Sequence, residues 1–173
     1  LSVMNGFDTE MRSRILAVVP HLALMEVDGL SIDAPLIQNL GGDPRVATVS
    51  AFVELQGLAE RGGSVRPFLG VGVETPEAWL LPEMIKGNTK SGILLGRLLA
   101  MDLGLNTGDT VNLIVPGKAR QAAKVEAFEI AGFIQTSTEI DSSLVLMPMN
   151  RAADLQGFGP DRVSGVRAQL KDV

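Results

Sequence analysis

Hydrophobic and polar positions change period along this chain, and each change marks an element. Leu1, Met4, Phe7 or Asp8, Met11 and Ile15 recur at steps of three and four, the spacing of one helical face. Arg12, Ser13 and Arg14 fall off that stripe. Asn5-Gly6 is a turn signal within it, and Gly costs a helix roughly 1 kcal/mol relative to Ala. The spacing therefore predicts a helix that starts near Phe7 or continues a segment before Leu1. From Ile15 to Met25 the chain is apolar on both faces, interrupted only by Pro20 and His21, which predicts a buried strand. Asp33 as N-cap, Pro35 in the first turn and Gly41 past the end predict a short helix. Arg45 to Leu58 then alternates. Val49, Ala51, Val53 and Leu55 face one way, Thr48, Ser50, Glu54 and Gln56 the other, with Phe52 the exception. A hairpin turn at Glu60-Arg61-Gly62-Gly63-Ser64 returns the chain along Val65 to Val73.

Thr75-Pro76-Glu77 opens a helix that Pro82 stops, and Trp79 beside it is expected to pack between two subdomains. After a loop at Gly87 to Gly92, Ile93 to Leu95 reads as a strand. Arg97 to Leu103 reads as a helix ended by Gly104. The turn Leu105-Asn106-Thr107-Gly108-Asp109 leads into a strand from Thr110 to Val115. Pro116-Gly117 turns again, and Lys124 to Ile134 is a long returning strand. Gln135 to Ser143 reads as polar linker. Leu144 to Met147 is a strand, and Asn150 caps a helix from Arg151 to Gln156 with Gly157 past its end. Val163 to Leu170 is the last strand. The fold class is α+β, with an end that echoes the beginning around a β-rich middle.

With 173 residues, 46% of them apolar, the chain can bury a substantial core. Its net charge of −5 argues against nucleic acid and anionic headgroups, which select basic faces. The absence of cysteine excludes disulfides and thiolate chemistry. No run reaches the roughly 18 apolar residues of a membrane span. Candidate chemistry adds little. Gly70-Val71-Gly72 begins like a dinucleotide fingerprint but lacks the third glycine, and glycines narrowing an edge strand explain it. Lys90-Ser91 mimics the end of a phosphate loop without the glycines that loop needs. His21 is the only histidine, with no serine elbow and no second ligand type around it. The pairs Glu74/Glu77 and Glu139/Asp141 read as solvated caps beside turns. The residues point to no catalytic set, no metal and no cofactor.

The segments SVMNGF and RILAVVPH at the start, then GILLGRLLAMDLGLNTGDTV, FEIAGFI, EIDSSLVLMPMNRAADL and VSGVRAQLKDV in order, resemble corresponding blocks of the LolC/LolE family of lipoprotein-releasing ABC transporter permeases. RILAVVPH leans toward the LolE branch, and the blocks are also similar to MacB-like permeases. The Gly-Asp turn by itself would also suit a free-standing small-molecule-binding or enzymatic barrel domain, against which the near absence of histidine, cysteine and tyrosine counts.

The resemblance implies a periplasmic domain on the inner membrane, standing on a helix that continues the first transmembrane segment. It implies a Porter-like subdomain of βαβ units at residues 1–73 and 141–173, with an inserted β-rich Sabre-like subdomain at 74–140. The domain itself would be non-catalytic. Its partners would be a LolC-like sister permease, a separate LolD-like ATPase reached through the membrane segments, and lipoprotein cargo bound for the chaperone LolA. LolC-like members carry a long hairpin that captures the chaperone, and here that span is only PGKARQAAK. Contact with LolA is therefore expected to be weak at most. Met4, Phe7 and Met11 are the expected contacts for cargo or sister permease. Lys118, Arg120 and Lys124 are the expected contacts for chaperone or partner. Another MacB-like permease is the alternative.

Overall fold

A computed structural model describes residues 22–171. Among them nine strands join one sheet. They are β1 (Leu22–Ser31), β2 (Val46–Arg61), β3 (Ser64–Val73), β4 (Ile85–Lys86), β5 (Ile93–Gly96), β6 (Thr110–Val115), β7 (Lys124–Ile134), β8 (Leu144–Pro148) and β9 (Arg162–Leu170). The helices are α1 (Pro35–Gly42), α2 (Arg97–Asp102) and α3 (Met149–Gln156).

Pairing closes six of these strands into a ring. β2 pairs antiparallel with β3, β3 parallel with β8, β8 antiparallel with β5, β5 parallel with β7, β7 antiparallel with β6, and β6 antiparallel with β2. β2 is long enough to serve twice. Its C-terminal half belongs to the ring, while Val46 to Phe52 pairs with β9, which in turn carries β1. The sheet thus has a closed ring and an open wing, hinged on one strand.

The apolar run of β8 follows from this position. Val145 and Met147 fall in one hydrophobic cluster with Val53, Leu55, Ile93, Leu95, Val111 and Leu113. Leu144 and Leu146 fall in a second cluster with Val71, Val73, Leu94, Trp79 and Phe52. A strand between two cores is apolar on both faces, so alternation disappears from its sequence. The same geometry explains Phe52. Val53 and Leu55 fill the first cluster, and Phe52, of opposite parity, fills the second.

Several local expectations need correction. The described part of the first apolar run, Leu22 to Met25, is strand but not buried. Leu22 and Met25 are exposed, because β1 lies at the edge of the wing. Ala34, not Asp33, is the N-cap of α1, with no side-chain bond to the first turn, and Gly41 lies inside the helix. Pro148, not Asn150, precedes α3. Only a 3₁₀ turn, Pro76–Ala78, forms between Thr75 and Pro82. β3 is an interior strand, so Gly70 and Gly72 do not narrow an edge. A Cβ at Gly72 would come within 2.3 Å of the Ala152 Cβ, so glycine there lets α3 lie against the strand.

The segment 135–143 is not linker. It holds a 3₁₀ turn, Glu139–Ser142, with Ile140 and Asp141 buried. Asp141 is only 3% exposed and therefore is not a solvated cap. Its carboxylate accepts from the Thr136 N–H at 2.9 Å, the Thr136 hydroxyl at 2.8 Å and the Ser137 N–H at 3.1 Å. A buried carboxylate needs such donors in place of water.

Candidate interaction surface

Of the residues singled out from the sequence, Met4, Phe7, Met11 and His21 lie outside the described residues. Lys118, Arg120 and Lys124 lie on or beside the turn joining β6 to β7, all exposed. That turn folds back on the molecule. The Lys118 ammonium sits 4.8 Å from the centre of the Phe158 ring, a cation–π distance. Lys124 Nζ donates at 2.6 Å to the Asp154 carbonyl in the last turn of α3, which also accepts from the Gly157 N–H, and a cation is favoured at that end of a helix. Lys118 also lines a shallow depression with Asp28, Phe158 and Arg162. Two of the three cations are thus committed to holding the turn against α3 and the loop that follows it.

A second site had no counterpart in the candidate residues. On the wing, Ser50 lies opposite Arg167 and Thr48 opposite Gln169 in the β2–β9 ladder, so the four side chains share one face. One pair further along, Phe52 lies opposite Gly165. A Cβ on Gly165 would come within 2.9 Å of the Phe52 ring and 2.2 Å of the Leu24 carbonyl oxygen. Glycine therefore lets Phe52 lie across β9. Trp79 packs edge-on against Phe52 with centroids 5.0 Å apart. The Arg167 guanidinium lies over the Trp79 ring at 3.9 Å. The turn Pro76–Ala78 covers this face, and Arg167 Nη1 donates to the Ala78 and Trp79 carbonyls, each at 3.3 Å.

Arg167 is 4% exposed. Burial lowers its pKa from 12.5 to about 10, because desolvation penalises the cation. At neutral pH it remains charged. Thr48, Ser50, Thr75, Glu77, Ala78, Arg167 and Gln169 line a cavity of about 280 Å³. The sequence signal was a single charge inside the apolar strand VSGVRAQL, paired in space with the only tryptophan. Trp79 belongs to the second hydrophobic cluster and lies against Phe52 of β2. Among the described residues no three metal-ligating side chains converge. No helix among them is long and apolar enough to cross a membrane.

No family model matches the chain. The lipoprotein-releasing system transmembrane protein LolE of Haemophilus influenzae is 26% identical over 190 aligned residues, covering 99% of this chain and 46% of that protein. LolC of Neisseria meningitidis serogroup B is 28% identical over 99% of this chain and 45% of its own length. LolC of Xylella fastidiosa is likewise 28% identical, over 100% of this chain and 45% of its own length. The chain therefore spans about half the length of these relatives. Among solved structures, the extracellular domain of the noncanonical ABC-type transporter YknZ from Gram-positive bacteria matches with a TM-score of 0.58 at 15% identity, covering 86% of this chain and 76% of that one. The periplasmic region of MacB from Actinobacillus actinomycetemcomitans matches with a TM-score of 0.52 at 15% identity, covering 88% and 68%. These two likenesses concern the fold. The chain is similar to LolC/LolE-type lipoprotein-releasing proteins over nearly its whole length, and its mixed, strand-rich fold is similar to MacB-like extracytoplasmic domains.

Proposed function

We propose that this chain is the periplasmic domain of a LolE-type permease subunit of a lipoprotein-releasing ABC transporter, and that it relays motion and touches cargo without covalent chemistry. The observation that carries this reading is similarity to LolE and LolC over almost every residue of the chain. The identities to LolE and to LolC are alike, so they do not separate the two types. What favours the LolE type is the connection from β6 to β7. It is short, and Lys118 and Lys124 hold it against Phe158 and α3 instead of leaving an arm to capture LolA.

In this reading the domain stands on the inner membrane beside a LolC-like sister subunit. A separate LolD-like ATPase on the cytoplasmic side drives the movement. The Porter-like part comprises residues 1–73 and 141–173, and the Sabre-like insertion 74–140. Support for an insertion is that β3 and β8 are parallel neighbours, so everything from Val73 to Leu144 is one crossover between them. The ring ties the insertion to the rest through β6 on β2 and β5 on β8. A domain braced in this way transmits tilt as a rigid body. In this reading Met4, Phe7 and Met11 contact lipoprotein or the sister permease, the flexible thioethers of the two methionines suiting a varied apolar cargo.

Photo-crosslinking in cells and calorimetry test the two halves of the reading. A photoreactive residue placed in turn at Met4, Phe7 and Met11 of the full-length protein is expected to give lipoprotein adducts. Calorimetry of the domain with LolA is expected to show no tight complex. Silence at the three positions, with controls in the membrane segments reacting, removes the cargo role. A submicromolar complex with LolA removes the LolE-type assignment.

A further inference from the structure

The Arg167 cavity goes beyond that reading and holds whatever cargo the protein handles. A cation taken out of water is stable only when something replaces its hydration. Here the replacement is half complete. Nη1 has two carbonyl acceptors and the ring of Trp79 lies beneath the guanidinium. Nε and Nη2 are buried and have no partner. Those two atoms form the edge of a guanidinium that a carboxylate meets with two parallel hydrogen bonds. None of the salt bridges among the described residues involves Arg167.

The surroundings narrow the missing group. Thr48, Ser50 and Gln169 add neutral donors around the same cavity, and Thr48 Oγ1 already donates to Gln169 Oε1 at 3.2 Å. At about 280 Å³ the space lies just under the roughly 300 Å³ at which drug-sized pockets begin. It takes one acidic side chain or a small free acid, and not a folded segment. Glu77, exposed in the covering turn, brings a negative charge to the lining. That disfavours a dianion such as phosphate and tolerates a singly charged carboxylate.

We propose that this cavity binds one carboxylate, held by Nε and Nη2 of Arg167 over Trp79 and by the hydroxyl of Ser50. The carboxylate comes either from an aspartate or glutamate of a partner chain or from a small free acid.

Trp79 is the only tryptophan, so its fluorescence reports on this site without labelling. The intact protein is titrated at constant ionic strength with sodium acetate, with the blocked peptide acetyl-Ala-Glu-Ala-amide, with sodium phosphate, and with sodium chloride as control. The expected result is a saturable change with acetate and with peptide, and none with chloride. Peptide binding tighter than acetate by about tenfold or more assigns the site to a partner's side chain, and equal binding assigns it to a free acid. Arg167→Gln is expected to abolish both responses. Two variants keep Arg167 in place in case that one does not fold. Glu77→Gln removes the like charge and is expected to tighten binding about threefold or more. Thr48→Leu fills the cavity and is expected to abolish binding. No saturable response to any carboxylate overturns the site, as does a response that survives Arg167→Gln or Thr48→Leu. Phosphate binding tighter than acetate overturns the carboxylate assignment.

Discussion

The ring and the wing share β2 but are filled differently. In the ring, Leu94, Val145, Leu146 and Met147 have no accessible surface, and their strands are apolar on both faces. In the wing, Val27 is 94% exposed, Leu22 and Met25 are open to solvent, and the central buried side chain is a cation with two unpartnered donor atoms. The ring satisfies itself. The wing leaves apolar area and a charge uncompensated, which is the condition of a surface that meets something else. Stability and interaction are thus assigned to opposite ends of a single long strand.

The largest expected effect tests that division. Leu146→Ala removes a fully buried side chain of the second cluster, on a strand position flanked by Val71 and Leu94 in the sheet, and is expected to cost about 2–5 kcal/mol. Val27→Ser changes an exposed wing residue and is expected to stay within about 0.5 kcal/mol. Urea denaturation of both variants measures the difference. Comparable losses at the two sites would mean that the wing carries as much of the fold as the ring.

A polar substitution sharpens the comparison. Asp141 lies in the connection between β7 and β8, and its carboxylate gathers the Thr136 and Ser137 N–H groups and the Thr136 hydroxyl. Asp141→Asn keeps the size but turns one acceptor oxygen into a donor that faces other donors. It is expected to cost about 1.5–3 kcal/mol by the same measurement. A loss near zero would show that the ring tolerates polar mismatch as the wing does.

How far these regions could be read from sequence follows from their packing. Alternation in Arg45 to Leu58 and the Gly62-Gly63 turn marked β2 and β3, because one face of β2 is wet over much of its length. The strands at Ile93, Thr110, Lys124, Leu144 and Val163 were legible from apolar runs bounded by turns. Ring closure was not legible, because the β2–β6 and β5–β8 pairings join residues far apart in the chain. The stretch from Gln135 to Ser143 was misread because a buried carboxylate looks the same in sequence as a solvated one. Asp141 is distinguished only by donors that the fold brings to it. Arg167 was missed for a related reason. A charge within an apolar strand usually lies on a wet face, and it takes Ser50 across the ladder and Trp79 from a distant turn to enclose it. The caps were misplaced by one or two residues at α1 and α3, where no side chain bonds to the helix start.

The smallest expected effect lies at the entrance to the wing. Asp43 precedes β2, and its carboxylate accepts from Arg45 Nη2 at 2.7 Å, from Nε at 3.0 Å and from the Arg45 backbone N–H at 2.9 Å. The Arg45 side chain, and then its backbone N–H, holds the Asp43 pKa down at about 2 from an ordinary 3.8. A folded-state pKa below the unfolded one gives stability that is present above pH 3.8 and is lost as pH falls toward 2. The contribution is slight, since the Arg45 side chain is 82% exposed and solvent screens the pair. The carboxyl carbon of Asp43, followed by NMR, is expected to titrate near pH 2 and to move toward 3.8 in Arg45→Gln. The difference in melting temperature between the two proteins is expected to vanish as pH approaches 2. Titration of Asp43 at its ordinary value in the unsubstituted protein would mean that this ion pair does not persist in solution. The start of β2 would then be held by its ladder with β9 and not by charge, leaving Arg167 as the wing's principal electrostatic feature.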